Sequence, residues 1–319
     1  VSFWARVPSG PGRPLDAAAQ PSQPRAMMKL LAIPVALAGL AACTATPSLG
    51  AGDQTAQLDP AASAAPPPGY TLVWSDEFDT GDMPDPAKWA YDTAQNASGW
   101  FNNERQYYSD ARAKNTRIED GHLIIEAHRE RLDPADHPDW GEQDYTSARL
   151  FTQGIEAWQY GYFEIRAKLP CARGTWPAIW LLPPDDIAWP LQGEIDIMEH
   201  VGHRAGIVHG TIHTGDYNHR IGTQKGSEIA VPSACDAFHT YTLDWREDAL
   251  TIGVDGTDYF TFEDEGTGRG AWPFDKPFFL ILNLAIGGDW AGARGIDDTA
   301  FPQRMLVDYV RIWQASDTE

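Results

Sequence analysis

Short apolar runs separated by turn-forming residues make up this chain from Tyr70 onward. Gly, Pro, Asp or Asn stands between the runs, and no long stretch shows the 3.6-residue repeat of an amphipathic helix. The pattern therefore predicts an all-β domain, a sandwich of two antiparallel sheets. The predicted strands are 71–74, 123–127, 161–169, 178–182, 194–199, 207–213, 240–245, 250–254, 278–285 and 305–313.

One predicted strand, residues 194–199, concentrates acidic side chains among β-branched ones. Side chains alternate between the faces of a strand, so Glu194 and Asp196 share one face. Plain alternation would turn Glu199 into the core, where an unpaired carboxylate is costly. We therefore predict a β-bulge at Ile197-Met198, whose extra residue returns Glu199 to the face of the other two acids.

Three carboxyl groups in a row have a chemical consequence. Closely set carboxylates do not ionise together easily, so their pKa values separate. One acid is then anionic while another keeps its proton near neutral pH. Cleavage of a glycosidic bond requires such a pair on either side of the anomeric carbon. A solvated acidic strand or a helix surface is the alternative interpretation.

The first part of the chain differs from the rest. Residues 1–43 are interpreted as a leader that contains an apolar run from Leu30 to Ala42. The run is too short to cross a bilayer as a helix, but it suits a signal peptide. Residues 44–68 are rich in Ala, Pro, Ser and Thr, which predicts a flexible tether.

The end of the apolar run, Leu40-Ala41-Ala42-Cys43, resembles the bacterial lipobox. The resemblance implies export, cleavage before Cys43 and lipidation of that residue. Because Thr44 rather than Asp follows, the usual signal for retention in the inner membrane is missing, and we expect an outer-membrane lipoprotein. An ordinary secretory signal with a chance cysteine is the alternative.

The net charge of −21 narrows the range of partners. It argues against nucleic acid and against docking of the domain surface on anionic lipid, so the membrane is expected to be reached only through the anchor. A neutral polysaccharide stays open, because thirteen Trp supply flat surfaces for sugar rings or for core packing. The sequence has no phosphate loop, dinucleotide fingerprint, His/Cys zinc spacing or G-x-S-x-G.

The stretch GEIDIMEH, Gly193 to His200, resembles the active-site strand of glycoside hydrolase family 16 in its bulged ExDxxE form. The resemblance runs from about residue 70 to residue 313, and we treat 69–316 as one catalytic domain. The subgroup that it looks like is the laminarinases, which are endo-β-1,3-glucanases. The family implies a β-jelly roll of two curved antiparallel sheets, concanavalin-like, with a concave substrate cleft.

The resemblance also implies roles for the acids. Retaining, endo-acting hydrolysis of β-1,3-glucan would use Glu194 as the nucleophile and Glu199 as the general acid/base. Asp196 would tune the protonation of Glu194 through a shared hydrogen bond. Catalysis of this kind needs no cofactor, and we expect a monomer.

Other motifs extend the resemblance around the cleft. Trp176 and Trp180 have the same parity in a WPAIW stretch, where they would stack on sugar rings or else pack in the core. The remaining residues implied to contact substrate are Asn103 in an NNE stretch, Arg149 in a TSAR stretch, His213 near the acid/base and Trp290 at the cleft edge. Arg149 would donate to hydroxyls or to the nucleophile, with a surface salt bridge as the alternative, and a structural role is the alternative for His213.

Two structural features accompany these predictions. The family implies a calcium ion on the convex side, held by main-chain oxygens of Glu77 and Gly121 and by the Asp308 carboxylate. Cys171 and Cys235 are the cysteines left after Cys43. An oxidising, exported location makes a disulfide between them the expectation, with two free thiols as the alternative.

Two alternatives to a laminarinase stay open from the sequence. Another family 16 specificity, for mixed-linkage β-glucan or agar, would keep the same acids, whereas sulfated carrageenan would favour a basic cleft. A non-catalytic β-glucan-binding protein on the same fold usually lacks one or both catalytic glutamates, and here both are present.

Overall fold

The computed structural model describes residues 66–316; the leader, Cys43 of the lipobox and most of the tether lie outside these residues. The strands of the described part are β1 (Tyr70–Asp76), β2 (Ala90–Tyr91), β3 (Gln106–Tyr108), β4 (Thr116–Glu119), β5 (His122–Arg129), β6 (Tyr145–Ser147), β7 (Arg149–Phe151), β8 (Gly161–Lys168), β9 (Thr175–Leu182), β10 (Glu194–His200), β11 (Ile207–His213), β12 (Lys225–Ala230), β13 (His239–Trp245), β14 (Ala249–Val254), β15 (Thr257–Glu263), β16 (Phe279–Ile286) and β17 (Gln303–Ala315). The helical segments are α1 (Gly288–Ala291) and the 3-10 turns Phe101–Asn103, Gly202–Arg204, Gly292–Arg294 and Asp298–Ala300. Within residues 66–316 no helix has the length and apolar character needed to cross a membrane.

The strands form two sheets that enclose one core. The cleft sheet has seven strands in the order β12-β11-β10-β9-β16-β7-β2, and every neighbouring pair in it is antiparallel. The outer sheet has ten strands, in the order β15-β14-β13-β8-β17-β5-β6-β3, with β1 also on β17 and β4 also on β5. In the outer sheet β3 and β6 pair in parallel. The chain passes repeatedly from one sheet to the other, and the predicted β-jelly-roll sandwich is confirmed.

Alternation along β9 shows how the sheets pack. Ile179 and Leu181 are fully buried in the core between the sheets, whereas Trp176 and Trp180 lie on the opposite face of the strand. Burying a large aliphatic side chain contributes about 1.5–3 kcal/mol, so the inward residues fix which face turns outward. The same strand therefore supplies the core with one set of side chains and the outer face with another.

The ten predicted strands are all present, with ends displaced by up to three residues. Seven further strands have no counterpart in the prediction, namely β2, β3, β4, β6, β7, β12 and β15. Most of these have two to four residues, and β12 (KGSEIA) is polar, so no apolar run marks them. The alternation of aromatic and polar residues in β15 (TDYFTFE) is a signal that the sequence does contain.

Cys171 and Cys235 form a disulfide, with their Cα atoms 5.7 Å apart. The bond ties the loop between β8 and β9 to the turn between β12 and β13. Thr175, the first residue of β9, donates through Oγ1 to the carbonyl of Ala172 in that loop at 2.8 Å. The loop that leads into β9 is thus fixed at both ends before Trp176.

Candidate active site

The structure contains the predicted bulge in β10. Against β9 the register skips Ile197, between Asp196 and Met198. Ile197 and Met198 are both fully buried, so two successive side chains enter the core. Glu199 consequently faces the same cavity as Glu194 and Asp196, as the alternation argument requires.

The three acids line a cavity of about 340 Å³ on the outward face of the cleft sheet. Strands β7, β9, β10 and β16 supply the residues of its floor. Its rims come from the segment before β3, the loop before β10 and the turn after β11. Both Trp176 and Trp180 line this cavity, so the predicted aromatic surface faces the acids.

An indole N–H holds each of the two glutamates. Trp176 Nε1 donates to Glu199 Oε1 at 3.0 Å, and Trp189 Nε1 donates to Glu194 Oε2 at 2.9 Å. Hydrogen bonds to the charged form of an acid favour that form and restrict its rotamers. The two carboxyl groups are therefore oriented from outside β10, one from the neighbouring strand and one from a loop.

Burial sets the protonation of these acids. It raises the pKa of Glu194 to about 8, with the charge of Glu199 adding to the effect. It raises the pKa of Glu199 to about 7, against the hydrogen bond from Trp176. The pKa of Asp196 is raised well above its usual range by burial, followed by the charges of both glutamates. The cluster therefore retains protons at neutral pH.

His213 was predicted near Glu199, at one end of the acid row, but it lies beside Glu194 at the other end. It pairs with Glu194 across the β10–β11 ladder, and its Nε2 is 3.5 Å from Asp196 Oδ2 and 3.9 Å from Glu194 Oε1. The prediction that it stands near Glu199 is wrong, because antiparallel pairing places His209 opposite Glu199. Burial lowers the pKa of His213 to about 4, so its imidazole is neutral where the acids titrate.

Arg149 contacts aromatic rings and a carboxylate in the cavity wall. Its guanidinium carbon is 4.7 Å from the ring centroid of Trp180 and 5.2 Å from that of Trp100, and its Nε is 3.0 Å from Asp92 Oδ2. Its side chain is 11% exposed, so the ion pair is largely enclosed rather than a surface salt bridge. The structure shows no hydrogen bond from Arg149 to the nucleophile, but its charge lowers the pKa of Glu194.

Comparison with known proteins agrees with this arrangement. Residues 103–316 match the family described as glycosyl hydrolases family 16. This chain belongs to that family. The β-glucanase of Rhodothermus marinus is 49% identical over 256 residues, which cover 77% of this chain and 86% of that protein. The glucan endo-1,3-beta-glucosidase of Cryptopygus antarcticus is 38% identical over 259 residues, covering 76% of this chain and 92% of that protein.

A solved structure extends the similarity to three dimensions. The crystal structure of SCLam, described as a non-specific endo-beta-1,3(4)-glucanase from family GH16, is similar with a TM-score of 0.76 and 53% sequence identity. The match covers 79% of this chain and 94% of that chain. The fold is therefore shared over nearly the whole described domain.

Two residues predicted to contact substrate have other partners in this family 16 domain. Asn103 Nδ2 donates to both carboxylate oxygens of Asp289, at 2.8 and 3.0 Å, while its neighbour Asn102 lines the cavity. Trp290 packs edge-on against Trp176, with ring centroids 5.3 Å apart. It therefore contacts a cavity residue without being part of the cavity lining. Asn103 lies in a 3-10 turn and Trp290 in the four-residue helix α1, so neither lies in a strand whose alternation would orient its side chain.

The prediction did not name several of the cavity residues, among them three with polar side chains near the acids. Trp189 belongs to the loop before β10, Asn283 accepts a hydrogen bond from Trp180 Nε1 at 2.7 Å, and Glu104 lies on the rim before β3. The signal for Trp189 was its place five residues before Glu194. The signal for Glu104 was its place in the NNE stretch, directly after Asn103, the residue that was predicted to contact substrate.

The one side chain predicted to bind calcium, the Asp308 carboxylate, has other partners. The Asp308 carboxylate is hydrogen-bonded to Arg166 and lies 3.5 Å from His122 Nε2. The Glu77 side chain accepts two hydrogen bonds from Arg311, at 3.0 and 2.8 Å. Asp308 would have to leave a guanidinium group to bind a cation, so the side-chain part of the predicted set does not fit calcium in this arrangement. No step of the chemistry is assigned to a metal.

Proposed function

We propose that this protein is an endo-acting, retaining glycoside hydrolase that cleaves β-1,3-glucan by double displacement. The observation that carries the proposal is the pair Glu194 and Glu199, which the β10 bulge turns into one cavity and two indoles orient. The family and its β-glucanase relatives support the substrate class. Retention is the general outcome in this family and needs reacting carboxyl groups about 5–5.5 Å apart.

The reaction follows from these two side chains. Glu194 attacks the anomeric carbon while Glu199 gives its proton to the leaving glycosidic oxygen, and a covalent glycosyl-enzyme forms. Glu199, now anionic, takes a proton from water, which attacks the same carbon and releases Glu194. Trp176 and Trp180 offer apolar ring faces to the pyranoses on the cavity floor.

Asp196 separates the roles of the two glutamates. One oxygen of Asp196, one of Glu194 and a ring nitrogen of His213 all lie within 4.8 Å of one another. Asp196 Oδ2 has no hydrogen-bond partner among the described residues, so a proton on Asp196 is available to Glu194. Burial and the charge of Glu199 leave Glu194 with the higher pKa of the two glutamates. Donation from Asp196 opposes that rise and favours Glu194 as the anion.

The relatives also bear on specificity. SCLam is described as a non-specific endo-beta-1,3(4)-glucanase, which favours some activity on mixed-linkage glucan. The test is release of reducing sugar from laminarin, lichenan, agarose and xyloglucan. We expect laminarin to be cleaved fastest, lichenan more slowly and the other two not at all. Binding of laminarin without sugar release would instead support the glucan-binding protein.

Attachment to the outer membrane through a lipidated Cys43 remains part of the proposal, although the lipobox lies outside the described residues. The motif Leu40-Ala41-Ala42-Cys43 supports it, and a diacylglycerol with an N-acyl chain anchors firmly, whereas one chain does not. Cell fractionation of the parent and of Cys43→Ser tests it. A parent protein found only in the soluble fraction contradicts the anchor.

Calcium binding is likewise a proposal that rests on the family. Melting with EDTA and with added calcium, for the parent and for Asp308→Asn, tests it. A rise in Tm with calcium that Asp308→Asn abolishes would show that Asp308 exchanges Arg166 for the ion. An unchanged Tm together with no metal by elemental analysis contradicts it.

A further inference from the structure

Glu104 is a fourth carboxyl group on the cavity wall, and the mechanism above gives it no step. A β-bridge with Gly287 fixes its backbone. Gln106 Nε2 donates to Glu104 Oε2 at 2.9 Å. The Oε1 of the same amide accepts from the Ile286 N–H at 2.8 Å, so the last residue of β16 aims Gln106 at Glu104.

Glu104 lies near the indole that holds Glu199. Glu104 Cγ and Trp176 Cζ3 are each 3.4 Å from the position that a Cβ on Gly288 would take, so both side chains border the same glycine. Trp176 in turn donates to Glu199 Oε1 at 3.0 Å. Two carboxyl groups therefore flank one indole in a partly desolvated cavity, where the charge of one acts on the other.

The surroundings of Glu104 favour its charged form. Burial raises the pKa of Glu104 to about 7, and the hydrogen bond from Gln106, the charge of Arg149 and a hydrogen bond from Asn102 oppose the rise. Burial raises the pKa of Glu199 to about 7, the indole donor opposes the rise, and the charge of Glu104 adds to it. The Gln106 N–H at 2.9 Å and the charge of Arg149 therefore stabilise an ionised Glu104.

We propose that Glu104 is a positioning residue for the acid step: its ionised carboxyl group keeps the proton on Glu199 until the leaving oxygen takes it. The inference rests on the proposed function, in which Glu199 is the general acid/base. An anion beside Glu199 disfavours a second negative charge, so the proton stays over a wider pH range. After the transfer, the same repulsion makes Glu199 a stronger base toward water.

Other ionisable groups also face this pair of carboxyl groups. They are Glu194 and Asp196 on β10, His209 on β11, Tyr259 on β15, Arg149 on β7 and Tyr108 on β3. Burial lowers the pKa of His209 and raises the pKa values of both tyrosines, so these three are neutral near pH 7.

The test is the pH profile of kcat/KM for laminari-oligosaccharide in the parent and in three variants. Glu104→Gln removes the charge and should move the alkaline limb to lower pH by about one unit. Glu104→Asp keeps the charge and should restore most of that shift. Asp144→Asn is the matched control, because Asp144 is 42% exposed, pairs with Arg105 and lies outside the cavity. A Glu104→Gln profile that superimposes on the parent profile overturns the proposal. A raised KM with an unmoved limb also overturns it and makes Glu104 a sugar contact.

A second substrate separates this proposal from the proposed function. The leaving group of 2,4-dinitrophenyl β-laminaribioside needs no proton, so Glu104→Gln should leave its alkaline limb unmoved. Glu199→Ala should keep far more activity on this substrate than on laminarin. Equal losses on both substrates would remove the acid role of Glu199 and the proposed function with it. If the alkaline limb of the Glu104→Gln profile shifts equally with both substrates, the result would contradict the role of Glu104 but not the proposed function. Circular dichroism establishes that the variants fold, and Glu104→Ala replaces Glu104→Gln if the latter does not.

Discussion

Trp189 Nε1 donates a 2.9 Å hydrogen bond to Oε2 of Glu194, so a residue of the loop before β10 orients the carboxyl group that we assign as nucleophile. Trp189 is in turn covered by the turn after β11, because the guanidinium carbon of Arg220 lies 4.5 Å from its ring centroid. The acid row is therefore set not only by β10 but also by two segments between strands.

Trp189→Phe keeps an aromatic ring at this position but removes the N–H donor. A hydrogen bond to a charged group contributes about 1.5–3 kcal/mol, so we expect a loss of roughly 10- to 150-fold in kcat/KM. The donor lowers the pKa of Glu194. Its removal raises that pKa, and the acidic limb of the kcat/KM profile should move to higher pH. Steady-state kinetics on laminarin across pH measures both effects.

Trp176→Phe is the matched variant at the other glutamate. It removes the donor to Glu199, so the pKa of Glu199 should rise and the alkaline limb should move to higher pH, with the acidic limb unchanged. The same laminarin profiles report this. Two variants that move the same limb would mean that the indoles do not act on separate acids.

The half-buried glutamates of the cavity should make stability depend on pH. Burial raises the pKa of Glu194 to about 8 and of Glu199 to about 7, from an ordinary value of 4.5. The folded state therefore binds more protons than the unfolded state between pH 4.5 and 8, and stability falls as pH rises through that window. Glu194→Gln should raise Tm at pH 8.5 by about 3 °C or more, with no gain at pH 4.

Calorimetry at the two pH values checks this stability prediction. Glu263→Gln, on the exposed end of β15, is the control and should change Tm little at either pH. A Glu194→Gln protein that is no more stable than the parent at pH 8.5 would show that the burial of Glu194 has no energetic cost.

The disulfide should contribute strongly to stability. Cys171 and Cys235 are 64 residues apart, and cross-linking a loop of that length removes about 4 kcal/mol of unfolded-state entropy. Reduction should therefore lower Tm by roughly 10 °C. Differential scanning calorimetry with and without reductant tests this. The double variant Cys171→Ala/Cys235→Ala should melt at the lower temperature under both conditions. A parent protein whose Tm ignores the reductant contradicts the prediction.

The sequence predicted the acid face because the physics there is local. Side-chain alternation and the cost of a buried charge at Glu199 demanded a bulge, and Ile197 and Met198 were the apolar residues able to absorb it. The same alternation placed Trp176 and Trp180 on one face. These features depend only on the spacing of residues within single strands.

The site features that the sequence did not predict depend on strand register and on loop conformation. His213 faces Glu194 because of how β11 pairs with β10, and no residue pattern within β11 states that register. Trp189 and Glu104 lie in segments without periodicity, so the sequence does not state where their side chains point. Asn103 has a left-handed backbone with φ of 57°, which turns its amide toward Asp289 instead of the cavity.

The assignment of Glu194 as nucleophile and Glu199 as acid/base is tested most directly by the configuration of azide products. Each glutamate is replaced by alanine, azide is added with an activated β-laminaribioside, and the glycosyl azide is examined by proton NMR. Glu194→Ala should give the α-glycosyl azide, because azide attacks the open face directly and inverts the centre once. Glu199→Ala should give the β-glycosyl azide, because azide then replaces water in the second displacement. The opposite pattern would exchange the two roles, and an α-anomer as the first hydrolysis product of the parent enzyme would contradict retention itself.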